Sequence, residues 1–425
     1  MSDMWKRLRE FLALYSNIST SKSKTPTRIR VPTKEGAAAC DLSVSVLEPG
    51  VEARHELSQR ANPAKDILSA IAKAYGIDPL LLAPFESQNM AGPVVLTPPK
   101  TPGNVSDDFN KRKHANGVYY YYPKMHLAGA GLYPVYLVAE RGRKVHTPNH
   151  WHPGTEVIAV IGGKAKEIIH KVSEYTNLDT GELLHFCSEH KHQTINRSKN
   201  DLLRIWVFRE LTSPPQTSSL FFILGQHLRS WRLQRKEALS AVAERGSFSP
   251  EKLKFFEKEG LLPFRKKNSL SDSQADRLSS AYNVGMEIMR PFMNVSNSRK
   301  VFASSHFANE NKDAPRGMSY HESGHGVQYY WPRKFLKNSS ILPGLLSVVP
   351  SSHTPPHRHP GSEILLVIDG EARVNFPENR TSIEPLRAGD LTHFDASWRH
   401  SVENTGEIML KAWVLRELRA PGDFL

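Results

Sequence analysis

The strongest constraint on the fold of this chain is an internal repeat. The segment NHWHPGTEVIAVIGG, residues 149–163, recurs 207 residues later as PHRHPGSEILLVIDG, residues 356–370. Further along each half, HQTIN (192–196) matches HSVEN (400–404), and WVFREL matches WVLREL. Similarity at such a spacing indicates a duplicated structural unit, so a single type of fold has to account for both halves.

Each half combines a helical part with a β part. In the helical parts, AYGIDPLLLAPF after Ala74 resembles AYNVGMEIMRPF after Ala281. In the β parts, GVYYYYPKMHL resembles GVQYYWPRKFL, and short apolar runs alternate with Gly, Pro and Asn turns, as is typical of a small sandwich or barrel. We therefore predict four domains: helical 1–90, β 91–211, helical 212–295 and β 296–425.

The second helical part has the outline of a helix-turn-helix. Apolar residues at helical spacing lead to a break at Gly246. Ser249 then stands as an N-cap, Pro250 takes the first helical position and Gly260 follows the end. Two helices joined by so short a turn are typical of this motif. The first helical part has a weaker pattern, carried by AKDILSAIAKAYGIDPLLL.

Histidines and a glutamate form a candidate metal site in each repeated segment. In an extended strand His150, His152 and Glu156 project from one face, so three ligands converge. With the later histidine of each half, the predicted ligand sets are His150, His152, Glu156 and His192, and His357, His359, Glu363 and His400. Imidazole and carboxylate suit a divalent first-row metal such as Fe(II) or Mn(II). The alternatives are plain surface histidines and a barrel that binds a ligand without metal.

Composition narrows the class of protein and of ligand. With only two cysteines, Cys40 and Cys187, a disulfide scaffold and a thiolate zinc cluster are excluded, and a reducing cytoplasm is expected. The sequence shows no export signal and no run long enough to span a membrane. Lys and Arg total 56 against 43 Asp and Glu, a net charge of +13 that suits nucleic acid or a small anionic ligand.

The ligand spacing resembles the two signature motifs of the cupins. These run HxH, three residues, E, six residues, G, and later H, three residues, N, and both halves match them. The resemblance implies a double-stranded β-helix, or jelly-roll, barrel in each β part. The predicted fold is therefore α+β, an internal duplication of a helix-turn-helix-like domain followed by a cupin barrel.

A helix-turn-helix joined to a cupin resembles two kinds of protein. One is the XRE-type regulators; the other is the phosphonate oxygenases, namely hydroxypropylphosphonate epoxidase, hydroxyethylphosphonate dioxygenase and methylphosphonate synthase. The last two carry the unit twice in a chain of about this size. This resemblance implies a mononuclear non-heme Fe(II) oxygenase that uses O2 on a small 2-hydroxyalkylphosphonate, by oxidative C–C cleavage or epoxidation. It assigns iron to His152, Glu156 and His192, and the phosphonate to Asn149, Tyr121 or its neighbour Tyr122, and Lys236.

Departures from these relatives leave the reaction open. The synthase would have Gln in place of Glu156, and the dioxygenase would have its Glu where Phe186 stands. His150 is a fourth candidate ligand. A chelating substrate and O2 together need three open positions on six-coordinate iron, which leaves room for three protein ligands. We therefore expect His150 to be off the metal or displaced from it in the reactive complex. Pro356 replaces Asn149 in the second barrel, which we expect to bind metal but to suit a phosphonate less.

Three functions remain: the oxygenase, an XRE-type regulator that senses a small molecule, and a two-site manganese or iron bicupin acting on a carboxylate. The predicted recognition helix PEKLKFFEKEG carries three Lys and three Glu, whereas DNA affinity depends on neutralising phosphates. We therefore favour the oxygenase over a DNA reader. We expect a small anionic substrate, no membrane association, a homo-oligomer, and helical domains that serve as lids and assembly elements.

Overall fold

The computed structural model contains two β barrels with a group of helices between them in sequence. It describes residues 8, 12, 28–31, 40–43, 68–69, 71–73, 82, 88–99, 104, 107–114, 117–142, 145–170, 174–210, 220–259, 269–293, 295–296, 300–305, 314–324, 326–336, 339–379 and 381–418. Most of the predicted helical domain 1–90 therefore lies outside the described residues. For the same reason the structure does not test the predicted similarity of the two helical parts.

Fourteen strands of the first half have described bounds. They are β1 (Arg28–Val31), β2 (Cys40–Ser43), β3 (Gln88–Met90), β4 (Val94–Leu96), β5 (Phe109–His114), β6 (Val118–Pro123), β7 (Met125–Leu127), β8 (Leu132–Ala139), β9 (Thr155–Gly162), β10 (Lys164–Ile169), β11 (Glu174–Asp179), β12 (Glu182–Cys187), β13 (His192–Asn196) and β14 (Leu203–Glu210). Apart from the pairs β1–β2 and β3–β7, they are short, rich in β-branched and aromatic residues, and belong to the barrels.

The strands of the second half follow the helices. They are β15 (Val295–Ser296), β16 (Lys300–Ser304), β17 (Met318–Gly324), β18 (Val327–Pro332), β19 (Phe335–Leu336), β20 (Ile341–Val348), β21 (Ser362–Asp369), β22 (Glu371–Phe376), β23 (Thr381–Ser382), β24 (Leu386–Arg387), β25 (Leu391–Asp395), β26 (Ser401–Asn404) and β27 (Leu410–Glu417). The short strands β15 and β19 pair with each other in parallel.

Each barrel is built from a seven-stranded sheet and a smaller sheet. In the first barrel the large sheet has the order β16-β12-β9-β14-β8-β6-β5 and the small one β11-β10-β13. In the second barrel the large sheet has the order β17-β18-β20-β27-β21-β25-β4, and β22 pairs with β23, β24 and β26 in the small one. The equivalent orders β12-β9-β14-β8-β6 and β25-β21-β27-β20-β18 confirm the predicted duplication of a β-rich jelly-roll barrel.

A conserved feature of both repeats is the glycine that ends the strand carrying the metal-site glutamate. Gly163 follows β9 with φ of 82°, and Gly370 follows β21 with φ of 81°. A Cβ atom at Gly163 would also collide with the backbone of Leu202. Because only glycine adopts this conformation without strain, the glycine of the repeated motif sets the hairpin into the next strand.

Two strands are exchanged between the halves. β4, from the first half, pairs antiparallel with β25 of the second barrel, with Leu96 opposite Leu391. In return β16 pairs antiparallel with β12 of the first barrel, with Ser304 opposite Glu182. Sequence boundaries at 91 and 296 place both strands in the wrong barrel, because a pattern of alternating residues does not reveal which sheet edge a strand covers.

A common apolar core joins the barrels. It includes Trp206 and Trp413, which are fully buried and occupy equivalent places in β14 and β27. Each indole crosses to the other half: the Trp206 Nε1 donates to the Gly389 carbonyl at 2.8 Å, and the Trp413 Nε1 donates to the Gly181 carbonyl at 3.3 Å. The halves therefore form one packed unit over the described residues.

Buried carboxylates add polar cross-links at this interface. Glu210 of the first half accepts hydrogen bonds from the Ser340 amide of the second half at 3.1 Å and from Thr155 at 2.7 Å. In the equivalent contact of the second half, Glu417 accepts hydrogen bonds from the Gly131 amide at 2.9 Å and from the Ser362 hydroxyl at 2.8 Å. Because both contacts are buried, they fix the relative position of the two barrels.

Truncating Trp206 tests whether this shared core carries the stability of the chain. We expect Trp206→Ala to lower the free energy of unfolding by about 3–5 kcal/mol, because a fully buried aromatic side chain is removed from a packed interface. Urea unfolding followed by circular dichroism measures this. Trp206→Phe, which loses the N–H donor but keeps most of the ring, should lose clearly less; equal losses in the two variants would contradict the packing account.

Five helices with described bounds lie between the barrels in sequence. Their bounds are Leu220–Gln234, Leu239–Arg245, Pro250–Glu259, Asp272–Tyr282 and Met286–Met293. The predicted break at Gly246 and the helix from Pro250 to Glu259 are confirmed. The helices share a core with Trp331, Leu342 and Leu418, so this segment packs on the second barrel. Within the described residues, the chain has no helix of the length and apolarity required to cross a membrane.

Candidate metal centres

The first candidate centre is held by backbone pairing between two short segments. His150 and His192 form an isolated antiparallel bridge: the His150 amide donates to the His192 carbonyl at 3.1 Å, and the return bond is 2.8 Å. The His152 amide donates to the Ser188 carbonyl at 3.0 Å, just before β9 brings in Glu156. The spacing HxH, three residues, E thus reflects an extended segment that runs into a strand.

The three imidazoles of this centre are oriented alike. Each Nδ1 lies next to a backbone carbonyl: His150 next to Pro148 at 2.9 Å, His152 next to Pro153 at 3.1 Å, and His192 next to His190 at 2.8 Å. A carbonyl oxygen can only accept a hydrogen bond, so each Nδ1 carries the proton. Each Nε2 is then left with a lone pair, the arrangement usual for metal-ligating histidines.

These lone pairs face one another. The ligand atoms of His150, His152, Glu156 and His192 all lie within 4.8 Å of one another. The buried Nε2 atoms of His150 and His192 have no hydrogen-bond partner among the described residues. The Nε2 of His152 lies 2.9 Å from the Glu156 Oε2, which is also an acceptor. Buried acceptors that point at a common centre fit a divalent cation, so the residues present suit a metal.

The electrostatics of the first centre keep the ligands in metal-binding protonation states. Burial raises the pKa of Glu156, but a hydrogen bond from His152 in its protonated form, together with the positive charges of protonated His192 and of Arg209, outweighs burial, so the net pKa of Glu156 is below the usual range. Burial lowers the pKa of His192 to about 4 and that of His150 well below its usual value. At neutral pH the carboxylate is charged and these two imidazoles are neutral, as metal binding requires.

The second centre reproduces the first. His357 and His400 form the same backbone bridge, with hydrogen bonds of 2.9 and 2.8 Å, and their ligand atoms lie within 4.8 Å of each other and of His359. The Glu363 Oε2 lies 2.9 Å from the His359 Nε2. Burial lowers the pKa of His357 to about 3 and that of His400 to about 4. The structure therefore brings the predicted ligands together at two places, with one difference between them. The atoms that all lie within 4.8 Å of one another include Glu156 in the first group, but in the second they come from the three histidines alone, and Glu363 contacts His359.

An arginine that sequence reasoning missed lies next to each glutamate. The Arg209 Nε donates to the Glu156 Oε2 at 3.2 Å, and the Arg416 Nε donates to the Glu363 Oε2 at 3.1 Å. The Nη1 of Arg209 is buried and has no hydrogen-bond partner in the described part of the chain. The signal was present in the repeated WVFRE and WVLRE segments, because an arginine within an otherwise apolar buried strand needs a polar function.

Arg209 and Arg416 differ in their neighbours. The guanidinium of Arg416 stacks over the Trp331 ring at 5.1 Å, whereas Tyr122 stands at the equivalent position in the first barrel. Burial lowers the pKa of Arg209, but electrostatic interactions with Tyr122 and with Glu156 outweigh burial, so its net pKa is raised. The first centre thus has a phenol and the second an indole beside the arginine, which is a chemical difference between two otherwise matched sites.

The prediction that Tyr121 faces the site is corrected by the structure. Side chains of β6 alternate, and Tyr121 is fully buried in the core between the barrels, where its ring lies 5.7 Å from that of Tyr136. Tyr120 and Tyr122 point into the first barrel. Because the period of a strand is two, choosing the neighbouring tyrosine reverses the face. Tyr122, the alternative named from the sequence, lies on the face that carries Glu156 and Arg209.

The placement of Lys236 also differs from the prediction. It is exposed in the turn after the helix Leu220–Gln234, with φ of 55°, and that helix packs on the second barrel, not the first. The sequence could not reveal this, because helix periodicity does not say which barrel a helix covers. Asn149 is exposed immediately before His150, at the rim of the first centre, so its predicted contact with a substrate stays a prediction.

Two buried histidines outside the ligand sets predict how stability depends on pH. Burial lowers the pKa of His185 and of His227 to about 3. An unfolded chain binds these protons near pH 6.5, so stability is fully present above that pH and falls as the pH drops towards 3. We expect a loss of roughly 1–2 kcal/mol per histidine between pH 7 and pH 5 in urea unfolding of metal-free protein. A His185→Gln protein with an unchanged pH slope would contradict this.

Comparison with known proteins identifies the fold. The Cupin domain family matches residues 344–415. The curated germin-like protein 9-2 of Oryza sativa subsp. japonica is 30% identical over 154 residues, which are 36% of this chain and 67% of that protein. The match to the rice protein and the match to the Cupin domain family both indicate a cupin fold.

Solved structures are similar at lower identity. HEPD of Streptomyces albus, solved with 2-hydroxyethylphosphonate and Fe(II) bound, is 14% identical with a TM-score of 0.44, covering 99% of this chain and 94% of that one. A mutant of the oxalate decarboxylase of Bacillus subtilis is 19% identical with a TM-score of 0.41, covering 75% and 80%. These two likenesses carry no inference about activity. On the match to the Cupin domain family and the similarity to the rice germin-like protein, the chain belongs to the cupin superfamily.

Proposed function

We propose that this protein is a mononuclear non-heme Fe(II) oxygenase whose first barrel acts with O2 on a small 2-hydroxyalkylphosphonate. His152, Glu156 and His192 would hold the iron, with His150 as a fourth ligand that leaves in the reactive complex. Asn149 at the rim and Tyr122 in place of Tyr121 would orient the anion. Lys236, which belongs to the segment packed on the second barrel, is left out of this site.

The observation that carries the proposal is the buried guanidinium of Arg209. Its Nε contacts the ligand carboxylate, and its Nη1 has no partner among the described residues although it is inaccessible to water. Burying an unpartnered cationic donor is unfavourable unless an anion completes it. Arginine matches the oxygens of phosphonates and carboxylates, so the first barrel supplies a cation for an oxyanion beside the metal position.

The residues of the first barrel have separable tasks in this reaction. Iron, when bound, supplies the redox chemistry with O2 and polarises substrate oxygens. Arg209 binds the anionic group and holds the Glu156 carboxylate in place through the hydrogen bond from its Nε. Phe186 packs edge-on against His192, with ring centroids 5.0 Å apart, and excludes water on that side. Tyr122 supplies a phenol on the same interior face.

A second candidate is a two-site manganese or iron bicupin that acts on a carboxylate. The observation in its favour is the second centre, which keeps three clustered histidines, with Glu363 at 2.9 Å from His359 and the arginine beside that glutamate. A carboxylate binds arginine as a phosphonate does, so Arg209 supports both functions. The two differ in substrate and in the number of centres that turn over.

A DNA-binding regulator receives less support. In the helix Pro250–Glu259, Glu257 is buried and pairs with Arg232 at 2.7 Å, so this helix uses part of its charge for internal packing. Its three lysines are balanced by three glutamates. We propose instead that the helical segment covers the second barrel as a lid and assembly element, in a cytoplasmic homo-oligomer.

Oxygen uptake is the experiment that tests the proposed function. Protein purified without oxygen is loaded with Fe(II) or Mn(II), and O2 consumption is followed with 2-hydroxyethylphosphonate, 2-hydroxypropylphosphonate and oxalate. We expect Fe(II) protein to consume O2 with a hydroxyphosphonate. Turnover of oxalate alone, with both centres metallated, would support the bicupin instead, and salt-sensitive retention on DNA without any turnover would support the regulator.

A further inference from the structure

One pair of facing interior positions is polar in the first barrel and apolar in the second. In the first barrel β10 carries Glu167 and β13 carries Thr194, which lie directly opposite each other. At the equivalent positions of the second barrel, Val374 of β22 and Val402 of β26 face each other. All four residues are buried. A polar pair has therefore taken the place of an apolar pair inside one of two otherwise matching barrels.

Glu167 points into the barrel and not towards solvent. It lies on the same face of β10 as Ala165 and Ile169, both of which belong to the apolar interior of the first barrel. The exposed fraction of Glu167 is 0%. The Thr194 hydroxyl donates to the Glu167 Oε2 at 2.6 Å. The Oε1 is buried and has no hydrogen-bond partner within the described ranges. One carboxyl oxygen of Glu167 thus makes a hydrogen bond within the fold, and the other is able to contact a ligand.

The environment of Glu167 favours its neutral form. Burial raises the pKa of this carboxyl well above its usual value and outweighs the opposite effects of the Thr194 hydroxyl and of the nearby Gln193 backbone N–H. Because Oε2 already accepts the Thr194 hydroxyl, the proton belongs on Oε1. The carboxyl therefore offers an O–H donor inside the barrel that holds the first centre.

The fold does not require this donor. Val374 and Val402 fill the same two positions in the second barrel and pack into its apolar interior. An apolar pair at this place is compatible with a candidate metal centre, since the second barrel retains three clustered histidines and a glutamate beside His359. A buried carboxyl with a free oxygen is unfavourable for stability and, in a chain whose other barrel avoids it, indicates a ligand.

We propose that Glu167 is a substrate-binding residue whose Oε1 donates a hydrogen bond to an oxygen of a small oxyanion at the first metal centre. This makes the first barrel, and not the second, the substrate-binding one. Arg209 supplies a cationic donor beside the metal and Glu167 adds a neutral one, so the ligand gains a hydrogen bond without a further charge in the barrel. The inference rests on the proposed function only in taking the ligand to be a small oxyanion.

Anion binding to the first centre alone tests this inference. In a His357→Ala, His400→Ala background, which removes ligands of the second centre, the protein is loaded with Co(II), and methylphosphonate and oxalate are titrated against its visible spectrum. Replacing Glu167 and Thr194 together by Val transplants the natural pair of the second barrel. We expect the bound anion to be held about tenfold to a hundredfold more weakly, as for loss of a hydrogen bond to a charged group.

The outcomes separate this inference from the proposed function. Oxalate binding that depends on Glu167, with no methylphosphonate binding, would support the inference and contradict the phosphonate substrate. Equal anion binding by the natural pair and the double valine pair would overturn it. Loss of Co(II) from the double variant would also overturn it, because the pair would then serve the metal. Failure of both anions to bind the natural pair would overturn the inference together with the substrate class.

Infrared spectroscopy tests the donor without relying on a variant that packs differently. A protonated Glu167 gives a carboxylic acid C=O band that is missing from Glu167→Gln protein, which identifies it. We expect this band to shift to lower frequency when methylphosphonate or oxalate is added to Co(II)-loaded protein, because the O–H becomes a donor to the anion. A band that does not move on saturation with the bound anion, or that is absent from the natural protein, would overturn the proposal.

Discussion

Glu156→Ala protein is expected to lose the metal of the first centre and to fall in turnover by roughly three orders of magnitude, since a metal supplies several kcal/mol of transition-state stabilisation. The Glu156 carboxylate is the single anionic ligand among four donors. Removing it also leaves Arg209 as a buried charge without its partner, which should destabilise the fold by about 3–5 kcal/mol. Metal content, turnover and urea unfolding together measure the effect.

The matched control for this prediction is Glu363→Ala in the second barrel. It removes the same chemical group from the same geometry, since Arg416 contacts Glu363 as Arg209 contacts Glu156. We expect each variant to retain one ion per chain and the larger loss of turnover to follow from the change at Glu156. Two ions per chain in Glu156→Ala protein would contradict the assignment of the first centre.

Replacing Arg209 by Met should raise the KM for an anionic substrate by roughly one to three orders of magnitude, as truncating one member of a buried charge pair does in binding. Met fills much of the same volume without a charge, so packing is largely kept. The guanidinium also positions Glu156, so turnover is measured at saturating metal. Steady-state kinetics with the best substrate of the oxygen-uptake screen provide the values.

Two further substitutions sharpen the Arg209 prediction. Arg209→Lys keeps the charge but not the planar donor geometry, so we expect a KM between those of the natural protein and the Met variant. Arg416→Met makes the same change beside Trp331 in the second barrel. The KM values of the two Met variants then show which centre binds the anion. A KM for Arg209→Met equal to that of the natural protein would contradict binding of the anion by this guanidinium.

Much of the architecture could be predicted because the signals were local and repeated. The ligand sets follow from alternation along an extended segment, and the repeat supports each assignment with a second copy. The helix from Pro250 to Glu259 could be bounded from its flanking residues alone. Glycine is needed at position 246, because a side chain there would collide with Phe248 and with Ala281 of a later helix.

What escaped prediction depends on which faces meet in three dimensions. Tyr121 and Tyr122 are adjacent, and only the pairing of β6 with its neighbours decides which of them enters the barrel. The exchange of β4 and β16 joins residues that are 295–299 positions apart for β4 and 114–122 positions apart for β16, which no local pattern encodes. Arg209 was hidden because its strand reads as apolar. Glu167 becomes informative only when strand registers align it with Val374.

The central claim is that each barrel gathers imidazoles and a carboxylate around one divalent ion. Anomalous diffraction from crystals grown without oxygen and loaded with Fe(II) measures this most directly. The account predicts two iron peaks per chain, one among His150, His152, Glu156 and His192, and one among His357, His359, Glu363 and His400. Absence of iron from both groups in crystals soaked with excess Fe(II), or binding only elsewhere on the surface, would contradict it.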